Sequence, residues 1–149
     1  MPVLTSSYRS PWFLRNGHVQ TMYPNLCRRA PEIPYTRTRI TTPDDDFLDL
    51  DTVSIGSDRA AIVLHGLEGN TSRPYIRGMA AALARAGWDV IAWNFRGCSG
   101  EPNRRPETYH SGKTEDLHTV VNHVLSSGRY RKLCLVGFSL GANLTLKYA

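Results

Sequence analysis

The 149-residue sequence has no apolar run approaching the ~20 residues that cross a bilayer, which excludes a membrane-spanning helix as an expectation. Its first residues, Met1-Pro2-Val3-Leu4-Thr5-Ser6-Ser7, lack a charged stretch followed by an apolar one, so the chain reads as cytosolic. Cysteine is scarce. Cys27, Cys98 and Cys134 are odd in number and show no C-x-x-C spacing, so they read as structural thiols rather than as disulfides or metal ligands. There is also no block of like charge. Lys and Arg outnumber Asp and Glu by 18 to 13, but the basic residues are scattered, with only Arg28-Arg29, Arg104-Arg105 and Arg129-Tyr130-Arg131-Lys132 as small groups. A solvated surface follows, and no nucleic-acid partner is expected. Repeats and low-complexity segments are absent as well. What remains, 41% hydrophobic and 21% charged residues, is the composition of one globular domain large enough to bury a sizeable core.

The most informative stretch is Val136-Gly137-Phe138-Ser139-Leu140-Gly141-Ala142-Asn143, which reads Gly-x-Ser-x-Gly. Before it, Leu133-Cys134-Leu135-Val136 has the continuous apolar character of a strand buried on both faces. After it, residues 140–149 have helix-forming composition. Ser139 is therefore expected on a sharp strand-to-helix turn with strained backbone angles, the setting of a nucleophilic serine. Gly137 and Gly141 would remove side chains that collide there. A helix starting at the serine aims its positive end and its unpaired N–H groups at a developing oxyanion, and the N–H of Leu140 is the natural donor.

Residues 1–36 hold Pro11, Pro24, Pro31 and Pro34 together with Trp12, Phe13, Tyr23 and Tyr35, a mixture without periodicity. It reads as an N-terminal arm packed on the core through its aromatics. His18 has no second ligand at metal spacing and reads as a packed or surface residue. Thr36–Thr42 and Phe47–Ile55 alternate as two strands, with Pro43-Asp44-Asp45-Asp46 as the turn; that acidic run lacks the following Gly and distant Glu of a calcium loop. Ala60–Leu64 is a buried strand running into the Gly-rich loop His65-Gly66-Leu67-Glu68-Gly69-Asn70. A helix from Ser72 or Arg73 follows, with Ile76, Met79, Ala80, Leu83 and Ala84 on one face and Gly87 as its stop. Val90–Phe95 is a further strand. Thr114 is expected to cap a helix with the apolar face Leu117, Val120, Val121, Val124 and Leu125. His118 and His123, five apart, share no helical face and form no metal pair. The order of elements calls for an α/β fold in which antiparallel first strands lead into parallel strands with helices on both faces.

These residues resemble the α/β-hydrolase superfamily, and within it the YheT-like branch of esterases and acyl transferases. The likeness rests on Leu14-Arg15-Asn16-Gly17-His18-Val19-Gln20-Thr21, His65-Gly66-Leu67-Glu68-Gly69, Asn94-Phe95-Arg96-Gly97-Cys98-Ser99-Gly100-Glu101-Pro102-Asn103, Tyr109-His110-Ser111-Gly112 with Thr114-Glu115-Asp116, and Gly137-Phe138-Ser139-Leu140-Gly141. The resemblance implies that Ser139 is the nucleophile, that the backbone N–H groups of Leu67 and Leu140 form the oxyanion hole, and that the substrate is a small-molecule or lipid ester. It implies neither cofactor nor metal. Ala142 stands where the branch commonly has a second Gly.

In the superfamily the acid and then the histidine follow the serine, yet residues 140–149 contain no Asp, Glu or His. His65, His110, His118 and His123 all precede Ser139, and His65 falls in the loop that the resemblance gives to the oxyanion hole. The resemblance therefore implies that residues 37–149 are the N-terminal half of the domain, truncated after the elbow helix. The missing C-terminal half would bring the triad Asp and His. The expected function is hydrolysis of carboxylic esters, with acyl transfer through the same acyl-enzyme, or a non-catalytic binding module, as the alternatives.

Overall fold

The computed structural model describes residues 5–27 and 29–149, so expectations for Met1–Leu4 and Arg28 fall outside the described residues. Five strands form one mixed sheet in the order β1-β2-β4-β3-β5. They are β1 (Thr36–Thr41), β2 (Phe47–Val53), β3 (Arg59–Leu64), β4 (Asp89–Asn94) and β5 (Lys132–Gly137). β1 pairs antiparallel with β2, and β2 antiparallel with β4. β3 lies parallel between β4 and β5, with Leu64 level with Trp93 on one side and Gly137 on the other. The parallel strands are joined by helices, because a crossover between parallel neighbours needs an element long enough to return. The helices are α2 (Pro74–Arg85), α3 (Glu115–Ser126) and α4 (Leu140–Tyr148), preceded by α1 (Gly17–Cys27).

Two cores follow from the alternation of side chains along the strands. Ile62, Leu64, Ile91 and Trp93 face α3 and α4 and meet Leu117, Val120, Val124 and Leu144. Val63, Val90 and Ala92 face the other way and meet Ile76 and Ala80 of α2, with Met79, Leu83 and Ala84 partly buried beside them. α2 stops where expected, since Gly87 takes φ 82° just past its end.

The structure departs from the sequence expectations in four places. The sequence predicts an arm without periodic structure, yet α1 spans Gly17–Cys27; the Asn16 side chain accepts the His18 N–H at 2.8 Å and starts the helix, and Pro24 lies inside it. The arm's aromatics are largely unburied. Trp12 packs edge-on against Phe13 and Phe13 against Tyr23 while all three remain exposed, and among the described residues of the arm only Ile33 and Tyr35 pack against the core. Thr114 gives α3 no side-chain cap and has helical angles, φ −87° and ψ −9°. Leu125 is exposed rather than on the buried face, being one step of about 100° beyond Val124 around the helix. Finally, β5 is half-exposed instead of doubly buried, because β3 alone pairs with it among the described residues.

Candidate active site

Ser139 stands at the junction of β5 and α4 with φ 53° and ψ −115°, angles that a non-glycine residue adopts only at a cost of about 1–3 kcal/mol. Its two flanking glycines have ordinary φ, so close approach is the reason for both. A Cβ on Gly137 would lie 2.5 Å from the backbone of Ala142, inside the turn itself. A Cβ on Gly141 would lie 2.6 Å from the His65 carbonyl oxygen and 2.7 Å from that of Leu64, at the top of β3. The turn thus brings α4 down onto the end of the neighbouring strand.

The loop after β3 closes over the same point. A Cβ on Gly66 would lie 3.3 Å from Ser139 Cβ, so Leu67 follows directly beside the serine. Gly69 N–H donates to the Gly66 carbonyl at 3.0 Å, and Glu68 takes a left-handed φ of 53° to make the turn. Among the described residues, the N–H groups of Leu67 and Leu140 have no hydrogen-bond partner. Leu140 is the first residue of α4, whose opening N–H groups carry the positive end of the helix dipole. Two free donors therefore flank an exposed serine hydroxyl.

The histidines of the chain all have other surroundings. Among the described residues no side chain hydrogen-bonds Ser139 Oγ. His65 is fully buried, its Nδ1 lies 2.7 Å from the Gly66 carbonyl, and its Nε2 accepts the Phe95 N–H at 3.1 Å. Those two contacts assign Nδ1 as the protonated nitrogen of a neutral ring. Burial lowers its pKa further, reinforced by the nearby Arg73 charge, so His65 is a structural pin of the loop. His110 accepts the Gly112 N–H at 3.1 Å, His118 pairs with Tyr148 Oη at 2.9 Å, and His123 and His18 are exposed. His110 and His118 line an open cavity of about 740 Å³ with Asp44, Arg96 and Asp116, and Ser139 is not among its walls. No group of His, Cys, Asp and Glu able to hold a metal occurs among the described residues. None of their helices is long and apolar enough to cross a membrane.

Sequence reasoning missed the supports of this site. Thr71, at the far end of the loop, donates to the buried Asp51 carboxylate and through its N–H to Asn94 Oδ1 at 3.1 Å. Asn94 Nδ2 in turn donates to Asp51 at 3.0 Å. Tyr75 and Tyr109 also contact the loop. Residues so far apart in sequence carry no local signal of such pairing.

The arrangement is that of an α/β hydrolase, and the chain belongs to the family described as the alpha/beta hydrolase fold, which it matches over residues 61–149. It is 38% identical over 133 residues to YheT of Escherichia coli (strain K12), whose name gives it as an esterase, covering 87% of this chain and 39% of that protein. It is 30% identical over 156 residues to the human phospholipase ABHD3, covering 99% of this chain and 38% of that one. The chain thus spans under two-fifths of the length of these curated relatives. Among solved structures, the esterase Pf2001 of Pyrococcus furiosus superposes with a TM-score of 0.66 at 25% identity, over 78% of this chain and 49% of that one. An alpha-beta serine hydrolase homologue from Coxiella burnetii shares the fold, with a TM-score of 0.64 at 23% identity over 79% and 58%.

Proposed function

We propose that this chain carries the nucleophile and the oxyanion hole of a serine hydrolase acting on carboxylic esters. The observation that carries the reading is the strained Ser139 between β5 and α4, with the unpartnered Leu67 and Leu140 N–H groups beside it. In the reaction Ser139 Oγ attacks the ester carbonyl carbon and loses its proton to a base. The carbonyl oxygen becomes an oxyanion between the two N–H groups. Collapse of the tetrahedral intermediate expels the alcohol, which takes the proton from the base, and water then cleaves the acyl-serine by the same path. An acid–histidine pair lying outside residues 1–149 supplies the base, since His65 has both ring nitrogens committed. The likeness to YheT, named as an esterase, and to the phospholipase ABHD3 supports an acyl ester as the substrate class.

The test compares p-nitrophenyl acyl ester hydrolysis by residues 1–149 and by the longest product of the coding sequence, each against its Ser139→Ala variant. Turnover is expected to depend on Ser139 in the longer product and to be absent from residues 1–149. In a measured protease, loss of the histidine alone cost ~10⁶-fold in turnover. Equal rates for the longer product and its Ser139→Ala variant would end the reading; Ser139-dependent turnover by residues 1–149 would place the base within this chain.

A further inference from the structure

Four consecutive N–H groups line the loop from Gly66 to Gly69, and three of them are already engaged. Gly66 N–H donates to Tyr75 Oη at 3.0 Å, Glu68 N–H to Tyr109 Oη at 2.7 Å, and Gly69 N–H to the Gly66 carbonyl at 3.0 Å. The peptide between Gly66 and Leu67 is fixed from its other end as well. Its carbonyl receives both Gly69 N–H and His65 Nδ1–H, and in a trans peptide the N–H points opposite to the carbonyl. Leu67 N–H must therefore face outward from the loop's own hydrogen bonds.

The two tyrosines reach the loop from different parts of the chain. Tyr75 comes from the first turn of α2, and its ring lies edge-on to Phe138, the residue before Ser139, with centroids 5.0 Å apart. Tyr109 comes from the long loop between β4 and α3, and its ring packs at 5.1 Å on Phe95, the residue whose N–H holds His65. A Cβ on Gly69 would lie 2.9 Å from Tyr75 Oη, so the loop and the tyrosine are fitted to each other. Without its two phenol acceptors the loop would have to keep the left-handed Glu68 with the Gly66 and Glu68 N–H groups released from their protein partners.

We propose that Tyr75 and Tyr109 are positioning residues of the oxyanion loop: by accepting the Gly66 and Glu68 N–H groups on either side, they hold the backbone so that Leu67 N–H alone is presented to the substrate oxygen beside Ser139. This rests on the reading of Leu67 as an oxyanion donor. Tyr75 also ties that donor to the serine turn, because one ring contacts both Gly66 and Phe138.

Tyr75→Phe and Tyr109→Phe keep the ring contacts and delete the acceptors, at Tyr109 together with the hydroxyl's bond to the Cys98 thiol, which Cys98→Ala removes by itself as a control. Complete loss of one oxyanion donor lowers kcat by about 10²–10³, so a donor left in place but loosened should cost about 10-fold. In the longest product of the coding sequence, each variant is expected to lower kcat by that factor with KM changed less than about twofold, the pattern of an interaction made in the transition state. Amide hydrogen exchange followed by NMR supplies a second readout. Tyr75→Phe should deprotect Gly66 and Tyr109→Phe should deprotect Glu68, with the amides of β3 and β4 unchanged. If one variant misfolds, the other still reports on its own amide. Unchanged exchange at Gly66 and Glu68, a loss spread through β3 and β4, or a raised KM with kcat intact overturns the proposal. Should wild-type turnover prove independent of Ser139, the hydrolase reading fails by itself, and the exchange pattern alone decides whether the two phenols hold the loop.

Discussion

A methyl group on Gly141 would press into two carbonyl oxygens at the top of β3, and one on Gly137 into the backbone of Ala142 and the Gly141 carbonyl. These are backbone atoms, which cannot swing aside as a side-chain end can. Both glycines are thus required by contact rather than by φ, and each protects a different junction: Gly137 the turn itself, Gly141 the seating of α4 on the neighbouring strand. Gly137→Ala and Gly141→Ala should each destabilise the fold by at least the 1–3 kcal/mol typical of overpacking. Gly17→Ala makes the contrast, because nothing lies within 4 Å of its Cβ position and the residue is helical, so it should be neutral or slightly stabilising. Urea midpoints of the three variants provide the comparison. A Gly141→Ala midpoint equal to wild type would show that α4 is not seated on Leu64 and His65 as described. The need for small residues at 137 and 141 was readable from the Gly-x-Ser-x-Gly spacing, whereas what each glycine touches depends on the parallel register that sets Gly137 level with Leu64.

At the scale of elements, the turn after β1, the end of β4 and the start of α3 meet on one guanidinium. Arg96, with 3% of its side chain exposed, bonds Asp116 through Nε and Nη2 at 2.8 Å, Asp44 through Nη1 and Nη2 at 2.8 and 3.0 Å, and Asp46 through Nη1 at 3.1 Å. The acidic run of the hairpin is thereby explained as a clamp on Arg96. Burial alone would raise the Asp46 carboxyl, but donors from Asn103 and from the N–H groups of Arg104, Arg105 and Phe47 hold it at about 2. The Arg96 hydrogen bonds hold Asp44 well below the usual carboxylate range. Carboxyls depressed in the folded state contribute stability that is complete above the unfolded value near 4 and is lost as pH falls through the folded one. The urea midpoint should therefore fall between pH 4 and 2, with a smaller fall over that range in Asp46→Asn; a separate decline should begin below the unfolded imidazole value near 6.5, because the buried His65, its pKa lowered in the folded state, stays neutral where the unfolded chain takes up a proton. Arg96→Met should cost about 3–5 kcal/mol at neutral pH, since three acidic side chains lose their shared cation. An Arg96→Met midpoint near wild type would refute the clamp.

The same scale shows why parts of the fold were readable and others were not. The buried faces of α2 and α3 follow from apolar spacing, β1 and β2 from alternation around a turn, and β3 and β4 from short continuous apolar runs. α1 was hidden by Pro24, which argues locally against a helix, and the capping role given to Thr114 failed because its backbone is already helical. Arg96 pairs with residues 50 and 52 positions earlier and 20 later, a set that only the closed sheet assembles. Tyr75 and Tyr109 were likewise invisible as a pair, although Tyr109 lies in a stretch that matches the family.

For the molecule as a whole, the two edges of the sheet are unlike. β1 reads Thr36-Arg37-Thr38-Arg39, with Arg37 and Arg39 forked onto Asp51 and Asp49 of β2, so charge lies along this edge. Charged side chains are a common defence of an open edge. β5 has no such defence: after Lys132 it runs Leu133-Cys134-Leu135-Val136, each half-exposed, and among the described residues only β3 pairs with it. α4, which packs on β5, leaves Leu146 81% exposed, and α3 leaves Leu125 52% exposed. An apolar strand edge together with uncovered leucines favours association of chains. Residues 1–149 expressed alone should accordingly be insoluble, or should elute from a sizing column as oligomers. Leu146→Lys leaves the core and the strand pairing untouched, because this side chain meets solvent, and it replaces an exposed apolar group of α4 by a charge. That variant should shift the population toward monomer without altering the far-UV circular dichroism. A sharply melting monomer from residues 1–149 with Leu146 intact would show that the β5 side needs no cover, and the association argument would fall with it.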